Sequence, residues 1–134
     1  VKLGGKRLLD GGVSDPIPVK WMLSRGYEKN VVVLTRDVKY RKKANPKMQL
    51  FLKAVLHKYP AFLKDLEERH IHYNETLEEL SALEKEGRVH IIRPSSPIQA
   101  AMIERDESNL ERIYQTGRAD MKKDLEKLKA YLDS

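Results

Sequence analysis

Apolar residues recur along the chain with two different periods, and each change of period marks a new element. Val1 to Leu3 and Lys6 to Leu9 flank Gly4-Gly5, two short apolar runs around a two-residue glycine turn, which predicts a β-hairpin. Ser14-Asp15-Pro16 supplies a helix start, with Asp15 as N-cap and Pro16 at the first helical position, and Gly26 supplies the stop. Val31 to Leu34 is an uninterrupted apolar run, the pattern of a parallel strand buried on both faces. Met48, Phe51, Leu52, Val55, Leu56 and Tyr59 then fall on one helix face, which Pro60 kinks or ends. A longer stripe follows through Phe62, Leu66, His70, Tyr73, Leu77 and Leu80 and closes at Gly87. Val89, Ile91 and Ile92 predict a second strand, stopped by Arg93-Pro94. The last third reads as helix through Leu110, Ile113 and Tyr114, with a weak point at Gly117, and on through Met121, Leu125, Leu128 and Leu132.

Hairpin, helix, strand, helices, strand and helix in that order predict an α/β protein with at least two parallel strands flanked by helices. Such a sheet is thin for a doubly wound domain. Val1 is not an initiator methionine and Val1-Lys2-Leu3 reads as a strand already under way, so the expectation is a fragment whose sheet is completed by an upstream segment. At 134 residues it forms one domain, 1–134. Residues 1–35 would end a core, 36–47 form a basic loop, and 48–134 carry helices and one strand. Leu125, Leu128 and Leu132 read as a core face or as a dimer seam. Loss of an upstream half would leave apolar surface exposed and favour a homo-oligomer.

Composition narrows the function classes. No apolar run approaches the roughly 20 residues of a membrane helix. With Cys 0 there is no disulfide, thiolate nucleophile or cysteine-ligated metal. The expected location is cytoplasmic, at or near a membrane surface. Lys and Arg number 26 against 20 Asp and Glu. Much of this surplus lies in Arg36 to Lys47, where Arg36, Lys39, Arg41, Lys42, Lys43 and Lys47 face only Asp37. Following a strand, these cations would sit at the sheet's C-terminal edge and contact lipid headgroups or, less favoured, nucleic-acid phosphates. The alternative is a solvated loop that serves solubility.

The chemistry-bearing candidate is Asp10-Gly11-Gly12 with Asp15-Pro16-Ile17-Pro18. Strand ends in α/β sheets face the ligand crevice, so a carboxylate there can act on a substrate or a nucleophile, and Gly11 and Gly12 permit positive φ and close backbone approach. The alternative is an ordinary Asx-type turn. Among the histidines, His70 and His72 point to different faces of a helix, Glu67 with His70 makes only half of a two-metal carboxylate motif, and His57 and His90 have no identifiable partner. No metal site is expected.

The run Gly5-Lys6-Arg7-Leu8-Leu9-Asp10-Gly11-Gly12-Val13-Ser14-Asp15-Pro16-Ile17-Pro18 resembles the Asp-Gly-Gly segment of patatin-like phospholipases. Arg69-His70 with Tyr73-Asn74, then Val89 to Ser95, then Tyr114 with Gly117, are similar, in the same order, to the C-terminal part of bacterial members. The resemblance covers almost the whole chain. It implies a serine hydrolase with a Ser-Asp dyad acting on phospholipid, lysophospholipid or another small acyl ester. Asp10 would be the dyad aspartate, Gly11 and Gly12 its loop, and no cofactor would be needed. Such a base requires the aspartate close to the serine in a partly desolvated pocket. None of Ser14, Ser24, Ser81, Ser95, Ser96, Ser108 and Ser134 lies in Gly-x-Ser-x-Gly, and the glycine-rich oxyanion segment is absent too. The chain alone is therefore expected to be inactive. The rival reading is a non-enzymatic basic α/β module that binds an anionic lipid surface or nucleic acid through Arg36 to Lys47.

Overall fold

Gly4 and Gly5 adopt positive φ, 54° and 75°, the backbone that a two-residue hairpin turn demands. They close β1 (Lys2–Leu3) on β2 (Lys6–Arg7) as an antiparallel ribbon, extended by the Leu8 N–H donating to the Val1 carbonyl at 2.8 Å. The structure is a computed structural model that describes residues 1–101 and 104–134, with Arg7 described through its backbone alone. A 3-10 turn over Gly11–Val13 leads to α1 (Val19–Ser24), then β3 (Asn30–Val33), α2 (Pro46–Leu56), α3 (Pro60–Lys85), β4 (Val89–Ile92) and α4 (Glu107–Asp133). The protein is mixed α/β and mostly helical. Its small parallel sheet joins β3 to β4 in the register Asn30↔Val89 to Val33↔Ile92, and the long crossover through α2 and α3 is what a parallel pair requires.

The predicted parallel pair is present, and α3 carries the predicted stripe: Phe62, Leu66, His70 and Tyr73 are half-buried, Leu77 and Leu80 buried. Pro60 starts α3 after α2 has ended, and α4 runs unbroken through Gly117. Three expectations need correction. The first helix starts at Val19 rather than Pro16, because Pro18 keeps Ile17 out of the helical region. The β1–β2 ribbon is not hydrogen-bonded to β3–β4, so Asp10 does not follow a strand of the parallel sheet. β3 is not buried on both faces: Val31 and Val33 share one face and are exposed, while Asn30 and Leu34 on the other face are buried.

The residues cluster into two compact units, each discontinuous in sequence. Val1–Lys20 and Arg41–Glu79 form the first, with Ile17, Val19 and Leu77 as its buried apolar residues. Trp21–Tyr40 and Leu80–Ser134 form the second, built on β3 and β4, with Leu34, Leu80, Leu83, Val89 and Ile91 buried.

In the second unit α4 is held against the sheet mainly by polar side chains. His90 Nε2 donates to Asp124 Oδ2 at 2.5 Å, which corrects the expectation that His90 lacks a partner. His57 is not alone either, since its Nδ1 lies 3.1 Å from the Ala54 carbonyl. The Tyr131 hydroxyl accepts from the Asn30 N–H at 2.8 Å and has the carbonyls of Arg88 at 2.9 Å and Asn30 at 3.2 Å as acceptors for its one proton. The Ser95 N–H donates to Asp120 at 2.9 Å. Leu125 and Leu132, two of the three predicted seam residues, are exposed, while Leu128 is half-buried.

Hydrogen bonds hold three carboxyls near α4 below their ordinary range. The Asp106 N–H lowers Glu104, helped by the Asn109 amide; the Ser108 hydroxyl lowers Asp106, the N-cap; the Ser95 N–H lowers Asp120. A carboxyl lowered on folding contributes stability above its unfolded pKa and loses it as pH falls through the folded value. Urea midpoints are therefore expected to fall between about pH 5 and pH 2. Replacing Asp106 and Asp120 together by asparagine should flatten that fall, and an equally steep fall in the double variant would contradict the assignment.

Candidate functional site

The first unit carries the Asp-Gly-Gly turn. Asp10 is extended, φ −60° and ψ 127°, and its Oδ1 accepts the Gly12 N–H at 2.9 Å, capping the 3-10 turn. The Gly11 carbonyl accepts the N–H groups of Ser14 and Asp15 and the Ser14 hydroxyl. From α3, the Arg69 Nε donates to the Gly12 carbonyl at 3.0 Å. Hydrogen bonds to a charged donor contribute about 1.5–3 kcal/mol, so this one fixes the turn against the helix. Gly11 and Gly12 do not use positive φ, which corrects the conformational expectation, because a 3-10 turn is right-handed. Gly12 is needed for proximity instead: a Cβ there would lie 3.3 Å from Asp10 Oδ1.

Asp10 stands in the wall of a cavity of about 670 Å³. Val1, Leu8, Leu9 and Val13 line it from the hairpin and turn side and Leu56, Tyr59 and Phe62 from the helix side, with Lys2, Ser14 and Asp65 as further polar residues. The Asp10 side chain is exposed, and the Ser14 hydroxyl donates to its own turn rather than to a base. Within these 134 residues Asp10 therefore acts as a turn cap beside an apolar hollow large enough for an acyl chain.

The basic segment divides between the units. In the second, Arg36 lies over the Tyr40 ring at 5.1 Å, and the Lys39 N–H donates to Asp37. In the first, the Asn74 amide clamps Lys42, accepting its N–H at 2.9 Å and donating to its carbonyl at 3.0 Å, while the Lys42 ammonium lies over Tyr73 at 5.5 Å. Arg41 and Lys43 flank this clamp and are exposed. The chain at Lys42 is thus positioned, unlike a freely solvated loop.

His70 Nδ1 lies 2.9 Å from the Glu67 carbonyl, whereas His72 pairs with Glu68 and Glu75, so the two face different ways as the spacing predicts. Among the described residues no group of three or more His, Asp or Glu is arranged to hold a metal ion. Nor is any described helix long and apolar enough to cross a membrane.

Sequence reasoning quoted Arg69 and Asn74 without giving them work. Their roles are to pin Gly12 and Lys42, contacts 57 and 32 residues away that no local pattern reveals. Residues 59–133, from the start of α3 to the end of α4, match the family described as a domain of unknown function (DUF6363). The Asp-Gly-Gly turn and α2 lie outside that match. No curated protein and no solved structure matches the chain.

Proposed function

The chain belongs to the DUF6363 family, and from the residues that precede the matched part we propose that it is the aspartate-bearing portion of an acyl-ester hydrolase of the patatin-like type. One observation carries the reading: Asp10 lines a mainly apolar cavity of about 670 Å³ on a turn that Arg69 holds in place. The substrate is a phospholipid, a lysophospholipid or another small acyl ester. The nucleophilic serine comes from residues other than these 134. Asp10 orients that serine, takes its proton during attack on the ester carbonyl, and returns the proton to the leaving alcohol. Gly11 and Gly12 leave no side chain to obstruct the serine's approach.

Arg41, Lys42 and Lys43 in the first unit, and Arg36 and Lys39 in the second, are the cations assigned to lipid headgroups. The reaction requires no metal or organic cofactor, and the protein acts in the cytoplasm at a membrane surface. Turnover of p-nitrophenyl butyrate tests the reading. The gene product containing these residues should hydrolyse the ester and the 134-residue chain should not. Hydrolysis by the chain alone, or none by the longer product, would overturn it.

A further inference from the structure

The outward side of α2 is its more apolar side. At 100° per residue, Leu50, Phe51, Ala54 and Val55 fall within an arc of roughly 140°, with Lys47 inside that arc at the N-terminal end of the helix. Leu50 is 72% exposed, Phe51 61% and Val55 57%. The opposite side meets α3, where the Gln49 amide donates to the Glu67 carbonyl and Lys53 pairs with the Glu67 carboxylate at 2.9 Å. The predicted apolar stripe is therefore split: Leu52 and Leu56 are half-buried and Met48 lines a hollow with Leu66 of α3, while Phe51 and Val55 face out. The physical reason is that α3 covers only one side of α2.

The charge around this face has one sign. From Arg41 to Lys64 the chain holds seven Lys and Arg residues and no Asp or Glu. Along the axis, exposed Lys43 precedes α2, exposed Lys47 stands in its first turn and exposed Lys58 lies just beyond its C-terminal end. A cationic rim around exposed aliphatic and aromatic residues is the chemistry of a helix lying in an anionic lipid interface. A second copy would bring two such rims together with like charges opposed. A nucleic acid would use the lysines but has no place for Leu50 and Val55.

We propose that α2 seats the protein on an anionic lipid surface, with Leu50, Phe51 and Val55 entering the boundary between headgroups and acyl chains and Lys43, Lys47 and Lys58 engaging the phosphates. This extends the headgroup contact proposed above to an element the sequence pattern assigned to the core. It rests on vesicle binding rather than on turnover, so it stands or falls separately from the hydrolase reading.

Co-sedimentation of the gene product containing these residues with vesicles tests it. Binding is expected to phosphatidylcholine vesicles that contain phosphatidylglycerol, and at least about tenfold weaker binding to phosphatidylcholine alone. Phe51→Ser with Val55→Ser, and separately Lys43→Gln with Lys47→Gln and Lys58→Gln, should each weaken it about tenfold or more. Helical circular dichroism should be unchanged, since all five positions are exposed. Equal binding to both vesicle types would overturn the proposal, as would loss on removing the lysines but not on removing Phe51 and Val55. Failure to bind either vesicle would overturn it too, and a dimer made monomeric by the serine variant would then identify a second copy as the occupant. Binding to single-stranded DNA unaffected by the serine variant, without vesicle binding, would identify a nucleic acid.

Discussion

Asp10→Asn, in the gene product that contains these residues, is expected to lower kcat/KM for an ester by about 10²–10⁴-fold with no change in thermal midpoint. The two halves of this expectation separate the aspartate's two roles. As a cap, Asp10 needs only an oxygen to accept the Gly12 N–H, and asparagine caps as well as aspartate. As a base it must take a proton from a hydroxyl, and a neutral amide cannot. Asp10→Ala should lose both roles and cost about 1 kcal/mol of stability in addition. Ester kinetics and thermal melts on the same samples decide the matter. Activity within a few-fold of the parent in Asp10→Asn would leave Asp10 as a cap and nothing more.

Leu80→Ala is expected to cost about 2–5 kcal/mol, the largest single stability effect in the chain. Leu80 has no exposed surface, and among the described residues of its unit the other buried apolar ones are Leu34, Leu83, Val89 and Ile91. Truncation removes the transfer energy of the lost carbons and leaves a cavity that so small a core has few side chains to fill. Set against a typical stability of roughly 5–15 kcal/mol, that loss should lower the thermal midpoint by roughly 10 °C or more. Leu50→Ala is the matched control. It makes the same chemical change at a position 72% exposed and should stay within about 0.5 kcal/mol of the parent. Urea unfolding of both variants checks the contrast, and similar costs at the two sites would mean the core is not where the burial places it.

The elements legible in the sequence were those set by local pattern. Gly4-Gly5 marked the hairpin, the stripe from Phe62 to Leu80 marked α3, and the paired runs at Val31 and Val89 marked the parallel strands. What failed was the side each element buries. The face of α2 read as core from its spacing, yet Phe51 and Val55 are exposed, because periodicity shows that a helix has an apolar side without showing what covers it. In α4 the failure runs the other way. The sequence reading followed the leucines and gave no part to Asp120, Asp124 and Tyr131, which bond to Ser95, His90 and the backbone at Asn30 and Arg88. Such contacts join residues 25 to 101 positions apart and leave no local signature. Around Asp10 the motif itself was visible, but the cavity and the Arg69 anchor were not, since both depend on where α3 lies against the turn.

The most direct test of the proposed dyad is the intact mass of the gene product containing these residues after exposure to a fluorophosphonate, which bonds covalently to an activated serine. The expected result is a single adduct, mapped by peptide analysis to a serine outside the 134 residues and lost in Asp10→Asn. No adduct on the parent protein, or one that persists undiminished in Asp10→Asn, would contradict the assignment of Asp10 as the base.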